Sequence, residues 1–407
     1  GTENTSTPTE TNPDVDQTIP QDIRDALPLL HPAQQRDVMF AEERFAQPDG
    51  HGVMFTNGTG TGKTYTGAGI VKRFVDAGKG NILILVPGSG VADQWEVDGG
   101  KNGVKITKLK DTKDSGSGVV ITTYANFRAN HRLAGREWDL IVTDESQNIL
   151  EAKAGDEKGG LKYFRGITNH PKRLRQKARM LEFELLDEIN IIEGKKNSAE
   201  KAAKAFNSGD KERIDKALKS LDKEFGGWSA GVSVAAAKAQ AEEMKLLLNP
   251  LEVEMKRRVD ARMPAVQQLP RGKVVFLSAT PFGYDKTVDY AEGYLFEYGP
   301  EPASNGYNTP DAQQAFMIRH FGYRMRTGKL TRPEAEVEND IMEVAFHEGL
   351  RDRKVLSGRV LDVPFDYDRK FVLIDDGIGN KIDELMEFLR DGEDGKLQDF
   401  EVAYVFG

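Results

Sequence analysis

From Leu27 to Leu150 the chain alternates short apolar runs with longer stretches whose apolar residues recur at helical spacing. Val53-Met54-Phe55, Ile82 to Val86, Val119 to Ile121 and Leu140 to Val142 read as buried strands. Thr64 to Asp76 reads as a helix with Ala68, Val71 and Val75 on one side. Strand–helix alternation of this kind predicts an α/β fold, a parallel sheet flanked by helices. Ligands of such sheets sit at the carboxyl ends of the strands.

The pattern changes after Leu150. Residues 151–267 are mostly charged and helical in period, and Ile214, Leu218, Leu221 and Phe225 fall on one helical face. A further helix is expected from Val234 to Leu248, stopping at Pro250. Val274 to Leu277 then resumes the sheet. The block is therefore expected to be a large helical insertion in a lobe made of residues 21–150 and 268–300. Residues 301–407 are expected to be a linker or the start of a second lobe, with Phe371 to Ile374 as a strand and Ile382, Leu385, Met386 and Leu389 on a helix. Residues 1–20, rich in Thr, Pro, Glu and Asn without apolar period, read as a disordered linker.

Composition narrows the chemistry. The 407 residues contain no cysteine, which excludes disulfides, thiolate catalysis and cysteine-held zinc. The 6 histidines form no H-E-x-x-H pair, so a histidine-held catalytic metal is not expected. No apolar run approaches the roughly 20 residues that span a bilayer, and no signal peptide opens the chain. A cytoplasmic protein is expected, in the host cytoplasm if the source is viral. The net charge of −9 is unlike that of a small basic DNA-reading module, but it leaves room for a local groove that holds phosphates.

Three motifs carry chemistry. In Asn57-Gly58-Thr59-Gly60-Thr61-Gly62-Lys63-Thr64, a glycine-rich run follows a strand and opens a helix, the context of a phosphate-binding loop. Its glycines let backbone amides turn inward around phosphate oxygens, and the helix N-terminus adds partial positive charge. Lys63 is expected to reach the β- and γ-phosphates, and the Thr64 hydroxyl to bind Mg²⁺. The window opens with Asn57 where Gly or Ala is usual; Asn tolerates left-handed backbone. In Leu140 to Gln147 an apolar strand ends in two acids: Asp144 to hold Mg²⁺, Glu145 to polarise an attacking water. Ser278-Ala279-Thr280-Pro281 follows the strand that ends at Leu277. By itself it is a hydroxyl-rich turn; third in this order it reads as a coupling motif.

In that order the motifs resemble the first RecA-like lobe of superfamily-2 helicases and translocases. The phosphate loop matches their motif I, Asp144-Glu145-Ser146-Gln147 motif II and Ser278-Ala279-Thr280 motif III. Leu30-His31-Pro32-Ala33-Gln34 resembles the upstream motif whose glutamine, here Gln34, reads adenine. Val86-Pro87-Gly88 with Gln94-Trp95 resembles motif Ia, and Ile121-Thr122-Thr123-Tyr124 motif Ib. The resemblance implies ATP and Mg²⁺ as cofactors and catalytic roles for Lys63, Asp144, Glu145 and Gln147. Gln147 would link the nucleotide site to Ser278 and Thr280. Nucleic acid would lie against Pro87, Gly88, Thr122, Thr123 and Tyr124.

The details lean toward Swi/Snf-type or restriction-type motors that track double-stranded DNA. The stretch from Ser278 to Tyr294 is also similar to large helicase-like polypeptides of phages and plasmids. A strand-separating DNA or RNA helicase, and a structural or virion domain that kept the fold, are the competing classes. A small-molecule kinase or GTPase leaves the second and third motifs without a role. No Q-x-x-G-R-x-x-R run, the arginine motif of the family's second lobe, occurs in the chain. With Gly1 rather than Met at its start, the chain is expected to be a fragment that partners a second lobe. Lys172, Arg173, Arg175, Lys177, Arg179, Lys256, Arg257, Arg258 and Arg262 form either a solvated charged face or an extension of the nucleic-acid track.

Overall fold

In the computed structural model, the residues described are 18–57, 62–150, 160–226, 234–279, 281–282, 285–300, 309–331 and 345–358. The expectations for residues 1–17, for Phe371–Ile374 and for the helix at 382–389 lie outside them.

Short strands alternate with helices along the first half of the chain: α1 (Gln21–Ala26), α2 (Pro32–Ala46), β1 (Gly52–Phe55), α3 (Lys63–Asp76), β2 (Ile82–Val86), α4 (Ser89–Lys101), β3 (Ile106–Lys108), β4 (Val119–Thr123), α5 (Tyr124–Ala129) and β5 (Leu140–Asp144). Helices then dominate, with α6 (Gly160–Ile167), α7 (Leu174–Met180), α8 (Phe183–Ser208), α9 (Lys211–Phe225) and α10 (Val234–Val266). The chain returns to the sheet with β6 (Val274–Leu277). It continues through α11 (Ala312–Phe321), the hairpin β7 (Arg324–Arg326) and β8 (Lys329–Thr331), and β9 (Leu356–Ser357).

Seven strands form one parallel sheet in the order β3-β4-β2-β5-β6-β1-β9. The alternation of side chains across a strand divides each apolar run between two cores. Val53, Phe55, Ile82, Ile84, Val86, Val142 and Leu277 face one layer, which includes Val38, Ala68, Val71 and Trp95 from α2, α3 and α4. Met54, Leu83, Leu85, Val120, Ile141 and Phe276 face the other, built with Phe127 of α5 and Leu161, Phe164 and Ile167 of α6. A sheet covered on both sides needs continuous apolar strands, which is what β2 supplies. This is a RecA-like P-loop NTPase fold.

The structure differs from the sequence reading in three places. First, α6 and Met180 of α7 belong to the lobe core rather than to a separate helical block, because the lysines and arginines around them hide a buried stripe. Second, residues beyond 300 contribute to the same lobe. Phe316, Phe321, Phe346 and Leu350 pack in its aromatic cluster, and β9 closes the exposed edge of β1. An edge strand left open presents unpaired backbone groups to other chains, so this cover has a physical use. Strands as short as β3 and β9 carry too little pattern to be recognised from sequence.

Third, α10 does not stop at Pro250. It runs 33 residues through Pro250 and Pro264. Both prolines lie on its exposed side, so the carbonyls that lose a donor, at Leu246 and Asp260, face water. On the opposite side Leu248, Met255 and Val259 pack on Leu185, Leu186 and Ile189 of α8. Farther out, Ala199, Ala202 and Ala203 of α8 meet Ala237 and Ala241 of α10, with Leu221 of α9. That packing outweighs the loss of one hydrogen bond per proline. Pro250→Ala restores an amide donor at an exposed position and should stabilise the protein by about 1–3 kcal/mol in urea unfolding. A loss of stability would mean that the proline's rigidity is what α10 needs.

Candidate nucleotide site

The site lies at the carboxyl ends of β1, β5 and β6, which are adjacent in the sheet with β6 in the middle. Residues 58–61 and Thr280 lie outside the described set, so the expectations for Gly58, Thr59, Gly60, Thr61 and Thr280 have no structural counterpart here. The residues that flank them are defined. Asn57 ends the run from β1 fully buried. Gly62 is left-handed (φ 76°) and forms the N-cap of α3, which places Lys63 and Thr64 in the helix's first turn. Lys63 Nζ donates to the Asn57 carbonyl at 3.1 Å.

Gln34 sits beside this turn. Its Oε1 accepts from the His31 amide at 2.9 Å, and its Nε2 donates to the Gly62 carbonyl at 3.4 Å. A side chain at position 62 would collide with it, since an added Cβ would lie 2.4 Å from Gln34 Nε2. Glycine is favoured there by its backbone angle, and a side chain would also displace the Gln34 amide.

Asp144 closes β5 and pairs in register with Leu277 of β6. Its carboxylate is buried, and Oδ2 accepts from the Trp95 indole N–H at 2.8 Å. Burial pushes the Asp144 carboxyl above the usual carboxylate range, and the neighbouring Glu145 charge adds to this. The Trp95 hydrogen bond and the Lys63 charge pull the other way. β5, which Asp144 closes, and β1, which leads to Asn57, flank β6 on either side, so Asp144 and the start of α3 lie toward the same edge of the sheet. Behind them, the Tyr124 hydroxyl donates to the Asp144 carbonyl at 2.8 Å.

Glu145 turns left-handed (φ 50°, ψ 60°), an uncommon conformation for a glutamate. The reversal sends the chain away from the strand direction immediately after Asp144. Gln147 Nε2 donates to Glu145 Oε2 at 2.9 Å, and the Ser278 hydroxyl donates to Gln147 Oε1 at 2.7 Å. One glutamine side chain therefore joins the second motif to the third. Next to it, the Ser146 hydroxyl lies 3.0 Å from the Tyr290 hydroxyl, which donates to the Pro281 carbonyl at 2.9 Å. Ala279 follows Ser278, half-buried.

The expected nucleic-acid residues divide. Val86 of β2 is the register partner of Thr123 of β4, so Pro87, Gly88 and Thr123 gather at one rim. Pro87 is exposed and Gly88 half-buried, while the Thr123 hydroxyl accepts from the Asn126 amide as the cap of α5. The side chains of Thr122 and Tyr124 do not belong with them. Both are buried: Thr122 Oγ1 accepts from Asn126 Nδ2 at 2.7 Å, and Tyr124 braces Asp144 from within. Alternation along the strand end turns them into the core.

The charged helices are largely self-neutralised. Lys172 pairs with Glu292, Arg175 with Asp260, Lys177 with Glu137, Arg179 with Glu252, Arg257 and Arg258 with Glu254, and Arg262 with Glu182. Seven of the nine cations singled out in the sequence thus sit in ion pairs, as on a solvated charged face. Sequence reasoning missed three residues of the site: Asp37, Trp95 as a partner of Asp144, and Tyr290. Their partners lie 20, 49 and 144 residues away along the chain. No local pattern signals such contacts.

Gly62, Lys63 and the buried Asp144 are the described parts of the candidate nucleotide site. Residues 28–183 match the family model "Type III restriction enzyme, res subunit", so this part of the chain is similar to superfamily-2 helicase-like lobes. No curated protein matches the chain at a significant level. The solved structure titled "Sulfolobus solfataricus SWI2/SNF2 ATPase core in complex with dsDNA" is similar over 61% of this chain and 78% of that chain, at 16% identity and a TM-score of 0.28. That score is too low for the likeness to carry a structural argument. Among the described residues, no helix is long and apolar enough to cross a membrane.

Trp95→Phe keeps the ring and removes the N–H that favours the charged form of Asp144. The carboxyl should then hold its proton to higher pH, and the acid limb of Mg²⁺-dependent nucleotide binding should move upward in pH. An unmoved limb would mean that the indole serves packing alone.

Proposed function

We propose that this chain is the ATP-binding lobe of an ATP-dependent nucleic-acid motor, and specifically of a duplex-DNA translocase. The observation that carries the reading is the link from Glu145 to Ser278 through Gln147, at the ends of the adjoining strands β5 and β6, beside β1 and the start of α3. In this reading the loop from Asn57 to Gly62 and Lys63 cradle the triphosphate, while Gln34 reads the adenine. Thr64 and Asp144 hold Mg²⁺. The residues present fit such an ion: a hydroxyl opens α3, and a buried carboxylate has one oxygen fixed by an indole. When bound, Mg²⁺ supplies charge neutralisation on the phosphates.

Glu145 orients the attacking water and accepts its proton. The bond from Gln147 sets the direction of that carboxylate, and Ser278 sets Gln147. A change at the nucleotide can thereby reach Ser278-Ala279-Thr280 and whatever follows them in the chain. Pro87, Gly88 and Thr123 form the rim that meets the DNA backbone. Phosphate contacts of this kind position a motor without reading sequence, which suits a chain whose overall charge is negative.

The experiment is nucleotide binding and turnover by the chain with Mg²⁺. It should bind ATP, and Lys63→Ala should weaken binding by at least roughly tenfold. Hydrolysis by the chain alone should be slow, because an arginine supplied from a second lobe typically contributes on the order of 10³–10⁵ in rate. Rapid turnover abolished by Lys63→Ala would show that no such arginine is needed. In a low-salt binding assay the chain should prefer duplex DNA; a preference for single strands would favour a strand-separating helicase instead. Failure to bind ATP would leave the structural-domain reading in its place.

A further inference from the structure

Asn57 is the one residue of the phosphate-loop window that departs from the usual small residue, and the structure gives its side chain a defined partner. Asn57 Nδ2 donates to Asp37 Oδ2 at 3.0 Å. The Thr66 hydroxyl donates to the same oxygen at 3.3 Å. All three residues are buried, Asn57 and Thr66 completely. Asn57 precedes the loop and Thr66 follows it in α3, so one carboxylate oxygen is shared by the two ends of the loop.

Asp37 stands in α2 three residues after Gln34, on the same face of the helix. Gln34 donates to the Gly62 carbonyl. Two side chains one turn apart on α2 therefore reach Asn57, Gly62 and Thr66. Glycine or alanine at 57 would leave this carboxylate without the amide, and a buried carboxylate needs its donors. Asp37 and Asn57 thus depend on each other, and neither bond requires a nucleotide.

We propose that Asp37 is a positioning residue for the phosphate loop. Its carboxylate ties Asn57 to Thr66 and sets the spacing between Asn57 and the first turn of α3, so that Lys63 is held ready for phosphate. The tie stands on geometry alone; its consequence for ATP rests on the reading given above.

The test uses the full chain, without nucleotide and then with it. In nucleotide-free hydrogen exchange, Asp37→Ala should speed exchange of the amides of 57–66 by on the order of tenfold and leave the strands β2 and β4 unchanged. Asn57→Ala should do the same and guards against a misfolded Asp37→Ala. Exchanging the pair, Asp37→Asn together with Asn57→Asp, reverses the donor and acceptor and should recover most of the protection. Mg²⁺-ATP affinity should fall and return in parallel. Unchanged exchange in both single variants overturns the proposal, as does a double variant no better than either single one. If the singles respond and the pair recovers but the wild type does not bind ATP, the positioning role stands and the motor reading fails.

Discussion

A carboxylate held in the core at the end of β5 is the constraint around which the rest of the lobe is arranged. Asp144 is removed from water, and burial disfavours its charged form. The fold offsets this with one indole N–H and one lysine, drawn from α4 and α3 respectively. Those helices lie on one face of the sheet, and Tyr124 at the start of α5 braces the Asp144 backbone. Moving any of these elements would change the setting of this one side chain.

The same economy governs the connections around the site. Gln147 takes a hydrogen bond from Ser278 and gives one to Glu145. An amide is suited to this because it offers an acceptor and a donor on one rigid plane. The left-handed turn at Glu145 is the local strain that makes the arrangement possible. Tyr290, buried next to Ser146, supports the turn from behind. Strain at such a point persists only where neighbouring contacts over-determine it, and here the bonds of Gln147, Ser146 and Tyr124 do so.

Outside the site, the long helices α8 and α10 show how packing overrides local preference. Two prolines fail to end α10 because its apolar face is satisfied along its length and the prolines face solvent. The many cations on this part of the chain answer to carboxylates within it.

The apolar runs of β1, β2, β4, β5 and β6 and the acid that closes β5 were legible in the chain. Each is a local property: a buried strand must be apolar throughout, and an acid that ends an apolar run stands out. The structure decided what depends on residues far apart. It brought Trp95 to Asp144, Asp37 to Asn57 and Ser278 to Gln147. It turned Thr122 and Tyr124 into the core, carried α10 through its prolines, and drew α6, α11 and β9 into the lobe. Hydrophobic period reports how a segment meets its own environment. Which distant segment supplies that environment is settled only when the sheet order and the helix layers bring them together.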